Sequence, residues 1–149
     1  MGDTGMLTKL EELEEKISSE GIALVNRRTK AVKAAAIECD GQHAIIYDQS
    51  KLETQAERFA ALCHEYCHIK FGLLYTVNDP LLIRRKCEYK VKKVMIQKLI
   101  KSDMLREKFK NGYTKWEIAE ELCITEDVID DALTVYKNMG EWPGEEEPK

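Results

Sequence analysis

Residues 50–74 read SKLETQAERFAALCHEYCHIKFGLL. Ser50 with Glu53 three positions on is a capping-box pattern, and it predicts one long helix from Ser50 to about Leu74. Along that helix Phe59, Leu62, Tyr66, Ile69 and Leu73 form one apolar stripe, while Ala60, Ala61 and Phe71 flank His64 and His68. A helix apolar over most of its surface belongs at the centre of a fold, and the remaining elements are expected to cover it.

Upstream lie three short runs of strand type, 22–25, 34–38 and 44–47. Asp40-Gly41 between the last two is a strong hairpin-turn signal, so a three-strand antiparallel meander is expected. Before it, Leu7, Leu10, Leu13 and Ile17 recur among acids as an amphipathic helix over 6–20, stopped by Gly21. Downstream, Asp79-Pro80 supplies an N-cap and a first-turn proline for a helix reaching about Ile100. Ser102 begins a further piece that Asn111-Gly112 breaks, Thr114 with Glu117 opens another, and Thr125 caps a last helix to about Met139. The expected fold is α+β, a small antiparallel sheet packed on the central helix with additional C-terminal helices. One domain is expected over 1–140, its helical end about 102–139, followed by an acidic tail at 141–149.

The 149 residues are 44% hydrophobic and 34% charged, which fits one soluble globular domain. No apolar run is long enough to span a bilayer. The first residues show no basic start followed by an apolar block, so the expected address is the cytoplasm. Five cysteines, an odd number, are then read as reduced thiols, mostly small core residues. A net charge of −4 gives no general attraction to nucleic acid. Charge is uneven, however. Arg84, Arg85, Lys86, Lys90, Lys92, Lys93, Lys98 and Lys101 face a single acid, Glu88, within 80–101.

His64-Glu65-Tyr66-Cys67-His68 is an HExxH sequence inside the long helix. Positions i and i+4 share a face, so both imidazoles can point at one ion. Neutral imidazole suits zinc, and two such ligands leave room for a third protein ligand and a water. Glu65 is rotated by about 100° from His64, which favours a place beside the metal as the base that takes a proton from the attacking water. The bland alternative is a pair of helical histidines with a Glu65–His68 hydrogen bond; burial counts against it, because buried imidazoles and carboxylates need partners.

The third ligand must come from elsewhere. Glu88 shares a stripe with Val91, Met95 and Leu99 on an otherwise basic helix. It reads equally as a metal ligand or as the acid of an i,i+4 pair with Arg84 or Lys92, and the residues alone leave both open. Cys87 is a rival ligand, because thiolate binds zinc well. Cys63 and Cys67 project about 100° away from the histidine pair and cannot complete a tetrahedron with it, so core packing is expected for both.

Arg58-Phe59-Ala60 before the HExxH, the hairpin strand upstream, and Glu88-Tyr89-Lys90-Val91 on the next helix resemble the ImmA/IrrE-like metallopeptidases common in phages and mobile elements. Trp116-Glu117-Ile118-Ala119-Glu120-Glu121-Leu122 through Tyr136 is similar to the helical end of phage-type members. The resemblance spans roughly 20–137. It implies a zincin-like helix, Zn2+ as the metal, His64, His68 and Glu88 as ligands, and Glu65 as the catalytic residue. It also implies a zinc endopeptidase whose substrate is a regulatory protein, a phage or mobile-element repressor. The sequence departs from the family pattern at Cys67, Lys90, Val91 and Lys92. An acid or amide usual at position 92 would orient a histidine N–H, so another group must do so here.

Tyr66 and Tyr75 are candidate donors to the oxyanion of amide attack, each more readily a core or rim aromatic. The backbone of 44–47 is a candidate edge for extended substrate. His43, beside the hairpin turn, reads as an ordinary exposed histidine. The helix pair after residue 114 reads as packing, not as a DNA-reading motif, because Glu126, Asp127, Asp130 and Asp131 would repel phosphate. The second function class is a metal-binding regulatory module that binds a repressor without cutting it; such a module has no need of Glu65.

Overall fold

Thr8 accepts from the Glu11 N–H while the Glu11 side chain returns to the Thr8 N–H, a full capping box that opens α1 (Lys9–Ser19). The computed structural model describes residues 7–142, and the chain divides into two compact units after Leu74. In the first unit α1 is followed by β1 (Ala23–Asn26), β2 (Ala34–Cys39), β3 (Gln42–Tyr47) and α2 (Gln55–Lys70). The second unit carries α3 (Leu81–Leu99), α4 (Ser102–Lys110), α5 (Lys115–Leu122) and α6 (Glu126–Asn138). The architecture is therefore α+β.

The sheet corrects the expected antiparallel meander. Its order is β1-β3-β2, with β2 antiparallel and β1 parallel to β3. The hairpin itself is where Asp40-Gly41 placed it: Cys39 pairs with Gln42, and both turn residues have positive φ, 52° and 78°. That combination matches the tight primed turn that suits twisted strands. β1 then lies on the far side of β3, after the intervening chain at 27–33 has reversed its course. Ile45, fully buried, occupies the centre of the middle strand, paired with Leu24 on one side and Ala36 on the other.

Asp48 holds the sheet's exit. Its carboxylate accepts from the Thr29 N–H at 3.0 Å, the Ser50 N–H at 3.0 Å and the Ser50 hydroxyl at 2.5 Å. The Ser50 hydroxyl, and then the Thr29 N–H, hold its carboxyl below the usual aspartate range. This arrangement moves the start of α2. Ser50 is drawn into a short 3-10 turn over Gln49–Lys51, and Thr54, accepting from the Glu57 N–H, caps α2 instead. α2 packs on α1, β2 and β3. The deeply buried apolar residues, Phe59, Leu62, Cys63, Tyr66 and Cys67, share one face, and His68 is buried apart from them. Phe71 is exposed and Ala60 and Ala61 are half-buried, so the helix is less enclosed than its composition suggested.

In the second unit Asp79 accepts from the Thr76 N–H and closes a turn, so Pro80 takes the N-cap position of α3 in its place. α6 packs on α3 and α5 around Val91, Ile118, Ile129 and Val135, all fully buried. Asp130 and Asp131 of α6 pair with Lys115 and Lys92. Of the tail expected from residue 141, Trp142 is buried edge-on to Phe109; residues 143–149 lie outside the described residues. Among the described residues no helix is long and apolar enough to cross a membrane.

Ile45→Ala should destabilise the chain by about 2–5 kcal/mol, the range for truncating a buried isoleucine. Ile37→Ala, on the exposed side of β2, should change stability by about 0.5 kcal/mol or less. Urea unfolding of the two variants checks the assignment, and equal costs would contradict it.

Candidate metal centre

His64 and His68 stand one turn apart on α2, ring centroids 5.0 Å apart and ring planes at 71°. His68 is buried; His64 and Glu65 are half-buried. The orientation of His68 follows from the way α2 ends. The Leu73 N–H donates to the His68 carbonyl at 2.8 Å and the Gly72 N–H to the Ile69 carbonyl at 3.3 Å, a Schellman closure with Gly72 at φ +65°. Glycine takes that left-handed conformation without a Cβ penalty, which is why α2 stops at Lys70, short of the expected Leu74. The closure lays the Leu73 carbonyl 2.8 Å from His68 Nδ1. A carbonyl oxygen only accepts, so the Nδ1–H donates and the proton of the neutral ring sits there. In that tautomer Nε2 is the nitrogen that carries the lone pair, the form in which imidazole ligates a metal. The group that orients a histidine N–H, missing at Lys92, is thus a backbone carbonyl.

Glu88 is half-buried on α3, one turn before the fully buried Val91. The cations that offered it an i,i+4 pair have other partners: Arg84 donates to the Asp79 carbonyl, and Lys92 pairs with Asp131. Tyr75 donates its phenolic O–H to Glu88 Oε2 at 2.5 Å. Ligand atoms of His64, His68 and Glu88 all lie within 4.8 Å of one another, a group able to hold a metal ion. Two imidazoles and a carboxylate suit a divalent first-row metal, with coordination positions left for water or substrate. Cys87 is not part of this group.

The other candidates fall elsewhere. Tyr66 is buried and donates to Glu20 Oε2 at 2.7 Å, which commits its phenol to α1 rather than to an oxyanion. Burial first, and then Glu20, push its ionisation well above the usual tyrosine range. The 44–47 backbone cannot receive an extended substrate, because β3 is paired on both edges; the open edges belong to β1 and β2. His43 lies 3.5 Å from Glu38 across the hairpin. All five cysteines are free thiols, but only Cys63 and Cys67 are buried; Cys39 and Cys123 are exposed. Tyr75, expected as an oxyanion donor or a rim aromatic, instead directs its hydroxyl to Glu88. Gly72 was not expected in the site, although a glycine four residues after His68 is a readable helix stop.

Compared with protein-family models, with curated proteins and with solved structures, the chain has no match.

In chelator competition on the full chain, Glu88→Ala should weaken divalent-metal binding by more than about 100-fold, above the range for loss of an outer hydrogen-bond partner. Cys87→Ser should leave it unchanged. The reverse pattern would make the thiolate the third ligand.

Proposed function

We propose that this protein is a zinc-dependent endopeptidase of the ImmA/IrrE-like kind, acting in the cytoplasm on a regulatory protein, a phage or mobile-element repressor. The observation that carries the reading is the grouping of His64, His68 and Glu88 with a half-buried carboxylate, Glu65, adjacent to the first ligand on α2. Two histidines and a glutamate with Zn2+ form the donor set of zincin-type peptidases that keep an open position. When bound, zinc acidifies a water and polarises the scissile carbonyl.

The chain's own residues have separate tasks. His64 and His68 supply neutral nitrogens, and the Leu73 carbonyl fixes the tautomer of His68. Glu88 supplies the anionic oxygen. Glu65, about 100° round the helix from His64, takes the proton of the attacking water and delivers it to the leaving amine. An extended substrate strand fits the open edge of β2, the strand that packs directly on α2. The repressor as substrate rests on the resemblance of the HExxH and Glu88 segments to that family.

Glu65→Gln separates cleavage from binding. The amide is nearly isosteric but cannot accept the proton, and general-base catalysis contributes about 10²–10⁴-fold. Co-expression with a repressor from the same genetic neighbourhood should give fragments with wild type and none with Glu65→Gln at equal metal content. Equal relief of repression by both, without fragments, would make the protein a metal-binding module that acts by association.

A further inference from the structure

We infer that Tyr75 is a positioning residue for Glu88, fixing its carboxylate as the anionic ligand of the metal centre. The inference rests on the metal-centre reading above. Glu88 sits on a helix whose neighbouring charges are cationic, and a long glutamate side chain there has many rotamers in which it would turn towards them. Tyr75 restricts that choice. Its ring carries only two side-chain torsions, it is half-buried, and its O–H donates to Oε2 at 2.5 Å. A donor on one carboxylate oxygen restricts the rotation of the group, which is what an outer hydrogen-bond partner does for a ligating carboxylate.

The placement of Tyr75 also follows from local structure. Leu73, two residues earlier, is the residue whose carbonyl receives the His68 Nδ1–H. The three residues 73–75 therefore supply an outer partner to two of the three ligands, one through a backbone acceptor and one through a side-chain donor. On the Tyr75 side, the following turn is closed by the Thr76 N–H donating to Asp79. The turn leads through Pro80 into α3, so Tyr75 is tied to the helix that bears Glu88.

A purely structural role is the rival account: the phenol would tether this turn to α3 whatever Glu88 does. The two differ in what removal of the hydroxyl changes. A tether affects stability with or without metal. A positioning residue affects metal affinity, and only while Glu88 is present.

The experiment is zinc competition against graded chelators on full-length wild type, Tyr75→Phe, Glu88→Ala and the double variant, with thermal melts of each metal-free form. Tyr75→Phe should weaken zinc binding by about 10–100-fold, the range for losing a hydrogen bond to a ligand. It should add nothing in the Glu88→Ala background, because the two changes act through one contact. The metal-free melts of wild type and Tyr75→Phe should agree closely. Unchanged zinc affinity in Tyr75→Phe, or the same loss with and without Glu88, overturns the inference while leaving the centre itself standing. An intense phenolate charge-transfer band in the copper-loaded protein, lost in Tyr75→Phe, would make Tyr75 a ligand and equally overturn it. Absence of zinc binding by wild type would remove the centre and the inference together.

Discussion

α2 must do two incompatible-looking things within sixteen residues, and the rest of the first unit is arranged around that constraint. One face has to be buried against α1, β2 and β3 to hold the unit together. The neighbouring face has to carry two imidazoles and a carboxylate, groups that are costly to bury without partners. Helical geometry separates the two tasks by angle, because His64 and His68 share one direction and Phe59, Leu62 and Tyr66 another. It also requires that the helix end promptly. A continued helix would carry Leu73 away along the axis, whereas a stop at Lys70 allows Leu73 to fold back onto His68.

Gly72 makes that return possible, so a backbone conformation and a ring tautomer are linked. The same closing turn satisfies the His68 and Ile69 carbonyls, which a helix terminus would otherwise leave to solvent. His68 is therefore held twice by Leu73, through its own backbone carbonyl and through its ring. The two tyrosines near the site show how similar residues diverge. Tyr66 spends its hydroxyl on Glu20 at the end of α1 and stabilises the helix pair. Tyr75 spends its hydroxyl on Glu88.

Local signals in the sequence were readable where one or two residues decide a conformation. Asp40-Gly41 specified the hairpin because both positions need positive φ. Thr114 with Glu117 and Thr125 specified the starts of α5 and α6 because a capping side chain acts within its own turn. Ser50 misled because Thr54 with Glu57 repeats the same pattern four residues later, and Asp48 claims the serine hydroxyl. The direction of β1 was not readable: an alternating or apolar run is the same read forwards or backwards, and parallel pairing depends on chain remote from the strand. In the site, His64, Glu65 and His68 are set by helical period alone. Glu88 is distant in sequence, and its stripe admitted a salt bridge equally well. The partner of His68 is a backbone oxygen, which no residue type announces.

The donor set makes a commitment that can be checked without knowing any substrate. Elemental analysis of the full chain, purified without chelator and with zinc present during growth, should find about one zinc per chain in wild type, the stoichiometry of a single three-ligand site. His68→Ala should be close to empty, because two remaining ligands hold the ion poorly. A metal-free wild-type protein, or a His68→Ala variant with the same metal content, would contradict the metal centre on which this account stands.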